Sequence, residues 1–180
     1  MTYVNNIYKK INKCRISGDK NLITVAKFPK MGLTGTFPKS KSENIIKTPV
    51  EVVFSKKSKL LQLKHNYNPK ILYGKNYGYR SGLNPKMVRH LKNKFNSLMA
   101  NFKINKQDLI LDIGSNDGTF LNFFARKRKD LSLFGMDPSS DKFAVYYNKR
   151  INLIPDYFSK KKLDIYLNKI NFKKKFNLVT

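Results

Sequence analysis

The chain has no tryptophan, one cysteine, only 11 acidic residues among 180, and no long hydrophobic run. Each scarcity excludes something. A single cysteine, Cys14, cannot form an internal disulfide and fits a reducing compartment. No stretch reaches the roughly 18 apolar residues of a membrane span, and the opening "MTYVNNIYKKINKC" lacks the apolar centre of a signal peptide. A cytoplasmic protein with no membrane partner is the expectation. Against 37 basic residues the shortage of acid leaves a formal charge of +26, which raises nucleic acid as a partner. Only six of those basic residues are arginine, the side chain that reads guanine edges and phosphates bidentately. A lysine surplus spread along the whole chain reads instead as a solvated coat, so nucleic acid is not the expected partner.

What is present suffices for one full domain, or for one small and one partial domain. Residues 1–66 read as short strands and turns, with "SGDKN", "PKMGLTGTFPKS" and "SKKSK" breaking apolar pieces such as Leu22–Val25 and Val50–Phe54. That stretch has too little regular apolar surface for a large core. Residues 67–102 form a linker and a helix. Asn84 followed by Pro85 is an N-cap with a first-turn proline, and Val88, Leu91, Phe95, Leu98 and Phe102 recur at helical spacing. Residues 103–180 then alternate between strand and helix: strand Leu109–Ile113, helix Thr119–Arg128, strand Ser132–Met136, helix Ser139–Lys149 and strand Ile151–Ile154. A further helix is marked by Leu163, Tyr166, Leu167 and Ile170, and a fourth strand spans Phe176–Val179. The predicted class is α/β: a small strand-and-turn domain, then an incomplete Rossmann-like parallel sheet covered on both faces.

The motif "LILDIGSNDGTFLNFF", residues 109–124, puts a glycine turn between the first of these strands and an aromatic helix. Ligands of such sheets bind at the carboxyl ends of strands, where this turn lies. It is not a Walker loop, because Gly118 is followed by Thr119 and Phe120 rather than by Lys and Ser or Thr. A dinucleotide fingerprint would need glycine at Asn116 for close approach of a pyrophosphate. A ligand without a pyrophosphate relaxes that demand while still needing Gly114 and Gly118 for the bend, and S-adenosylmethionine is such a ligand. Asp137, ending the second strand 23 residues after Gly114, stands near the offset at which a carboxylate meets a ribose diol. Asp112 is placed to take the ligand's ammonium, directly or through water.

"LDIGSNDGTFL" followed by "GMDPSS" resembles the methyltransferases whose loop reads EIGSNDGTLL and whose second strand ends in G-(I/V)-(D/E)-P-(S/A). These are class I S-adenosylmethionine-dependent enzymes with an N-terminal zinc-binding domain, known best as C-methyltransferases of nucleotide-linked deoxyketosugars. Further ordered matches are "KCRISGDKNL", "LTGTFP", "VVFSKKSKLLQL" and "YGYRSGLN". The resemblance implies S-adenosylmethionine as cofactor and a nucleotide-linked sugar as partner. It assigns cofactor contacts to Tyr77, Tyr79, Ser81, Asp112, Gly114, Ser115, Asn116, Asp117, Gly118, Asp137 and Pro138.

The same resemblance exposes a departure. The family's two C-x-x-C pairs, which hold zinc, fall here on Cys14, Ser17, Ser55 and Ser58. A thiol with a pKa near 8.5 reaches the thiolate that zinc needs, whereas a serine hydroxyl stays protonated, and one thiolate does not close a tetrahedral site. Asp19 and His65 are the substitutes within reach in sequence. The expectation is a degenerate zinc-binding-like domain, 1–66, without stoichiometric zinc. The family's catalytic His and Tyr segments lie beyond the position of Thr180, so no catalytic residue is assigned, the chain reads as truncated, and on its own it is expected to be inactive. His90, among Lys and Arg on the linking helix, reads as a solvated residue. Two alternatives stay open: a methyltransferase for another acceptor, such as a polysaccharide, a lipid-linked sugar or RNA, and a basic nucleic-acid-binding protein.

Overall fold

The computed structural model describes residues 7–33, 38–73 and 77–180. The chain packs as two compact units, Met1–Gly78 and Tyr79–Thr180. Most of "LTGTFP" lies outside the described residues.

Among the described residues, the regular structure of the first unit is strands and one short helical turn. Strand β1 (Tyr8–Lys10) pairs antiparallel with β5 (His65–Tyr67), and β2 (Leu22–Gly32), β3 (Lys47–Ser55) and β4 (Leu60–Leu63) form a three-stranded antiparallel sheet. Pro29 would remove a ladder hydrogen bond from a regular strand, and the β2–β3 register shifts between Phe28 and Met31, where it lies. The short helix α1 (Pro69–Leu72) is capped by Asn68, whose side chain accepts from the Lys70 amide. Among the described residues, buried apolar side chains here are few: Ile11, Cys14, Leu33 and Val53, while Ile23, Val25, Phe28, Met31, Leu61 and Leu63 stay exposed. The shallow core expected from the sequence is what the packing gives.

The second unit is a four-stranded parallel sheet in the order β8–β7–β6–β9, formed by β6 (Leu109–Ile113), β7 (Ser132–Met136), β8 (Ile151–Ile154) and β9 (Leu178–Val179). Side chains alternate across a strand. One face therefore carries Leu109, Leu111, Phe134 and Met136, which form a single cluster with Ile154 and with Leu163 of helix α4 (Lys160–Lys169). On the other face, helix α3 (Thr119–Lys127) buries Phe120, Leu121 and Phe124. Helix α2 (Pro85–Asn101) joins it, its Phe95 ring meeting Phe124 edge-on at 4.8 Å. Asn84 caps α2 as the sequence requires, its Oδ1 accepting from the amides of Lys86 (3.0 Å) and Met87 (3.3 Å) with Pro85 in the first turn. His90 is exposed on this helix.

One expectation is overturned. Residues 139–149 do not form a helix; they run through turns and a short 3-10 helix, Ala144–Tyr146. The cause is lateral tethering. Asn122 on α3 donates from Nδ2 to the Tyr146 carbonyl and accepts from the Asn148 amide, at 2.8 and 2.9 Å, and Tyr147 is drawn under the glycine turn. Val145, Tyr146 and Tyr147 are weak helix formers, so three good sideways bonds outweigh a single serine-capped first turn.

Candidate functional site

The turn after β6 is fixed by its own backbone. Gly114 (φ +75°) donates its amide to the Met136 carbonyl at 2.8 Å, Asn116 sits at φ +50°, and Gly118 closes the turn at φ +73° before α3 begins. Left-handed backbone at these positions is cheap only for glycine or asparagine. The two glycines serve different needs. A Cβ on Gly114 would meet nothing within 4 Å, whereas one on Gly118 would collide with the Tyr147 ring.

Asn116 and Asp117 spend their side chains on the segment preceding α2. Asn116 donates from Nδ2 to the Tyr79 carbonyl (3.1 Å) and accepts the Ser81 amide on Oδ1 (2.8 Å); Asp117 Oδ2 accepts the Gly82 amide at 2.9 Å. Asp117 Oδ1 also receives the Thr119 amide and hydroxyl, which starts α3. The Y-x-Y-x-S resemblance thus marks, at Tyr79 and Ser81, a strap bonded to the glycine turn. Tyr77 stands in the first unit, its ring meeting Tyr73 edge-on at 5.3 Å. Ser115 is buried, its hydroxyl 2.8 Å from that of Tyr147, and the Tyr147 hydroxyl reaches the Asn116 carbonyl at 2.8 Å. Burial pushes the Tyr147 phenol well above its ordinary range, so it stays a neutral donor.

Asp137 lies against the bend. Its Oδ2 accepts the Asn116 amide at 3.0 Å, and its Oδ1 accepts the Ser139 amide at 2.7 Å and the Ser139 hydroxyl. Pro138 follows in the turn, half-buried. Three of the roughly four acceptor directions of that carboxylate are therefore occupied by protein donors.

Beside the bend a hollow of about 200 Å³ opens at the carboxyl ends of β6 and β9, bordered by Asp112, Gly114, Asn116, Phe120 and Thr180 together with Ser81, Leu91 and Lys94. Sites that enclose a drug-sized ligand usually measure roughly 300–1,000 Å³, so this one suits one end of a ligand. Asp112 is 7% exposed, and burial lifts its carboxyl to about 6, even though the Thr180 hydroxyl donates to its Oδ1 at 2.9 Å and Lys94 adds positive charge nearby. A carboxyl whose folded pKa exceeds its unfolded value favours folding when protonated and loses that contribution as pH rises from about 4 through 6. Asp112→Asn is expected to raise stability at pH 8 by roughly 2–3 kcal/mol and to leave it nearly unchanged at pH 4. Urea unfolding of both chains at the two pH values checks this; equal gains at both would contradict it. Lys94, Leu91 and Thr180 had no signal in the sequence, because only docking of α2 and β9 brings them to Asp112.

The four positions that resemblance assigns to zinc do converge in the first unit. The Cys14 thiol is 3.1 Å from the Ser58 hydroxyl, the Ser58 amide reaches Ser55 Oγ at 3.5 Å, and hydrogen bonds with Ser17 and then Ser58 pull the Cys14 thiol down to about 6. Cys14 and Ser55 are buried at 2% and 0% exposure. The donor set does not fit a tetrahedral zinc ion, since three of its four members are hydroxyls that keep their protons. Among the described residues no group of three or more His, Cys, Asp or Glu side chains could hold a metal ion. Asp19 offers Cys14 its backbone carbonyl, and His65 packs edge-on against Tyr8 at 5.2 Å. Among the described residues, no helix is long and apolar enough to cross a membrane.

Residues 14–73 match a methyltransferase family model described as "Putative zinc binding domain". Over 156 residues the chain is 24% identical to the C-methyltransferase NovU of Streptomyces niveus, a match that covers 86% of this chain and 36% of that protein. The matched stretch thus spans about a third of the relative's length. Both matches point toward methyltransferases, and they fall on a chain whose fold is a mixed α/β sheet preceded by a small N-terminal unit.

Proposed function

We propose that the second unit is a Rossmann-like domain that binds S-adenosylmethionine, and that the acceptor is a nucleotide-linked deoxyketosugar methylated at carbon. In this reading residues 1–66 are the degenerate zinc-binding-like domain, 67–102 the linker and helix, and 103–180 the cofactor-binding domain. The observation that carries it is the open hollow where β6 ends in a glycine turn, with a buried carboxylate, Asp112, on its wall. The sequence similarity to a C-methyltransferase supports it; the acceptor rests on the resemblance of the ordered sequence motifs to that family.

S-adenosylmethionine, when bound, supplies a methyl group on a sulfonium for transfer to a nucleophile in line behind it. The chain's own residues position and hold. Gly114 turns the backbone away so that the hollow stays open. Asp112 offers an anionic acceptor for an ammonium, which would relieve the cost of its burial. Asp137, beside the bend, has one free acceptor direction for a ribose hydroxyl and gains a second if the Ser139 hydroxyl rotates away.

Titration calorimetry of the full chain with S-adenosylhomocysteine is expected to show one site. Asp137→Asn, which keeps one carbonyl acceptor, should weaken it by roughly tenfold or more, in line with the loss of a charge-assisted hydrogen bond. No heat up to millimolar ligand would sink the reading. Tight binding of single-stranded RNA that collapses steeply with salt would then favour the basic nucleic-acid binder instead.

A further inference from the structure

The hollow beside the glycine turn carries opposite charges on two elements. Asp112 stands at the end of β6, and Lys94 projects from α2 one turn after Leu91, so both helix residues face the same space. Lys94 holds its ammonium 4.8 Å above the centre of the Phe120 ring, a cation–π arrangement. Its positive charge is felt at Asp112, yet no ion pair within 4.0 Å joins the two among the described residues. Thr180 occupies Asp112 Oδ1 and leaves Oδ2 without a hydrogen bond among the described residues. Ser81 stands at the rim, and Leu91 and Phe120 supply apolar wall.

Opposite charges held apart around a small space are complementary to a zwitterion of reversed polarity. An α-amino acid is that zwitterion, with an ammonium and a carboxylate on one carbon. We infer that Lys94 reads the α-carboxylate of the bound cofactor while Asp112 takes its α-ammonium, making α2 the element that recognises the amino-acid end. The inference rests on the S-adenosylmethionine reading and assigns a specificity-determining residue within it. The size of the hollow agrees, being too small for the adenosine as well. The exposed Lys94 side chain has a geometric reason to keep its charge beside the hollow, since the Phe120 ring attracts the ammonium.

The test uses three ligands on the full chain: S-adenosylhomocysteine, 5′-methylthioadenosine, which lacks the amino-acid end, and L-methionine, which lacks the adenosine. Lys94→Met is expected to lower affinity for S-adenosylhomocysteine by roughly ten- to a hundredfold, the size of a lost charge-assisted hydrogen bond. Affinity for 5′-methylthioadenosine should not change. Lys92→Met, an exposed lysine two residues away, should leave both affinities as they are and so controls for overall charge. Equal binding of S-adenosylhomocysteine by the native chain and Lys94→Met overturns the assignment of Lys94 while leaving the cofactor reading standing. A native chain that binds neither adenosine ligand overturns both. Because Lys94 is exposed and caps no element, its variant is expected to fold, and an unchanged melting temperature verifies that. Measurable L-methionine binding lost in Lys94→Met would support the inference with the hollow acting alone.

Discussion

Replacing Ser17, Ser55 and Ser58 by cysteine in one chain is expected to produce a protein that carries one zinc ion, where the native chain is expected to carry none. The four side chains already meet. Cys14 Sγ lies 3.1 Å from Ser58 Oγ, Ser55 receives the Ser58 amide, and Ser17 bonds the Cys14 thiol. Thiolates about 2.3 Å from a tetrahedral zinc ion stand roughly 3.8 Å from one another, so the pair must open by well under 1 Å. The turns Cys14–Ser17 and Ser55–Ser58 are already folded, with the Gly18 amide on the Cys14 carbonyl at 3.0 Å. Little rearrangement stands between the hydroxyl cluster and a metal site. Structural zinc contributes on the order of 10 kcal/mol of apparent binding free energy in small zinc domains, and a unit with four buried apolar side chains among its described residues has much to gain. Elemental analysis should give one zinc per triple variant, and its first unit should melt well above that of the native chain, with the gain abolished by chelator. One zinc per native chain would contradict the hydroxyl argument at its root, and a triple variant without zinc would show that the four positions do not form a ligand cage.

Much of the parallel sheet was legible in the sequence because its signals are local. Leu109–Ile113, Ser132–Met136 and Ile151–Ile154 are short apolar runs bounded by polar turns, and the strands occupy those residues. Helix α2 declared its own start, since Asn84 and Pro85 act within one turn. The segment after Asp137 was not legible. Its conformation depends on Asn122 and Ser115, 15 or more residues away, and a window centred on Ser139–Lys149 contains only one side of each hydrogen bond that decides it. The candidate site divides in the same way. Gly114 and Gly118 were recognisable from their spacing, and both prove left-handed. The strap made by Asn116 and Asp117 on Tyr79, Ser81 and Gly82 was not, because a side chain's choice between ligand and backbone is a matter of what lies within 3 Å. The Asp112–Lys94 hollow needed three separated elements, β6, α2 and the residue after β9, to be docked before it existed.

Gly118→Ala should destabilise the second unit far more than Gly114→Ala, although the two glycines share nearly the same backbone angle, φ +73° and +75°. An L-residue in this region costs on the order of 1–2 kcal/mol at either position. Beyond that the surroundings differ. At Gly114 the new methyl enters open space, so the strain is the whole effect, and a loss of about 1–2 kcal/mol follows. At Gly118 it would collide with the Tyr147 ring, so something must move. Tyr147 cannot move cheaply, because its hydroxyl is held by Ser115 and by the Asn116 carbonyl at 2.8 Å and its ring is 8% exposed. Overpacking adds a further 1–3 kcal/mol or so, bringing the expected loss to roughly 2–5 kcal/mol, a large part of the stability of an ordinary domain. A double-mutant cycle separates the two causes: with Tyr147→Ala already in place, Gly118→Ala should cost only about the strain, 1–2 kcal/mol. If Gly118→Ala costs the same with and without the tyrosine ring, the close packing of Tyr147 under the turn is wrong. The two glycine variants should also part company in function. Gly114→Ala leaves a nearly stable fold whose methyl projects beside the hollow, so it should weaken S-adenosylhomocysteine binding out of proportion to its effect on unfolding. In Gly118→Ala, binding and stability should fall together.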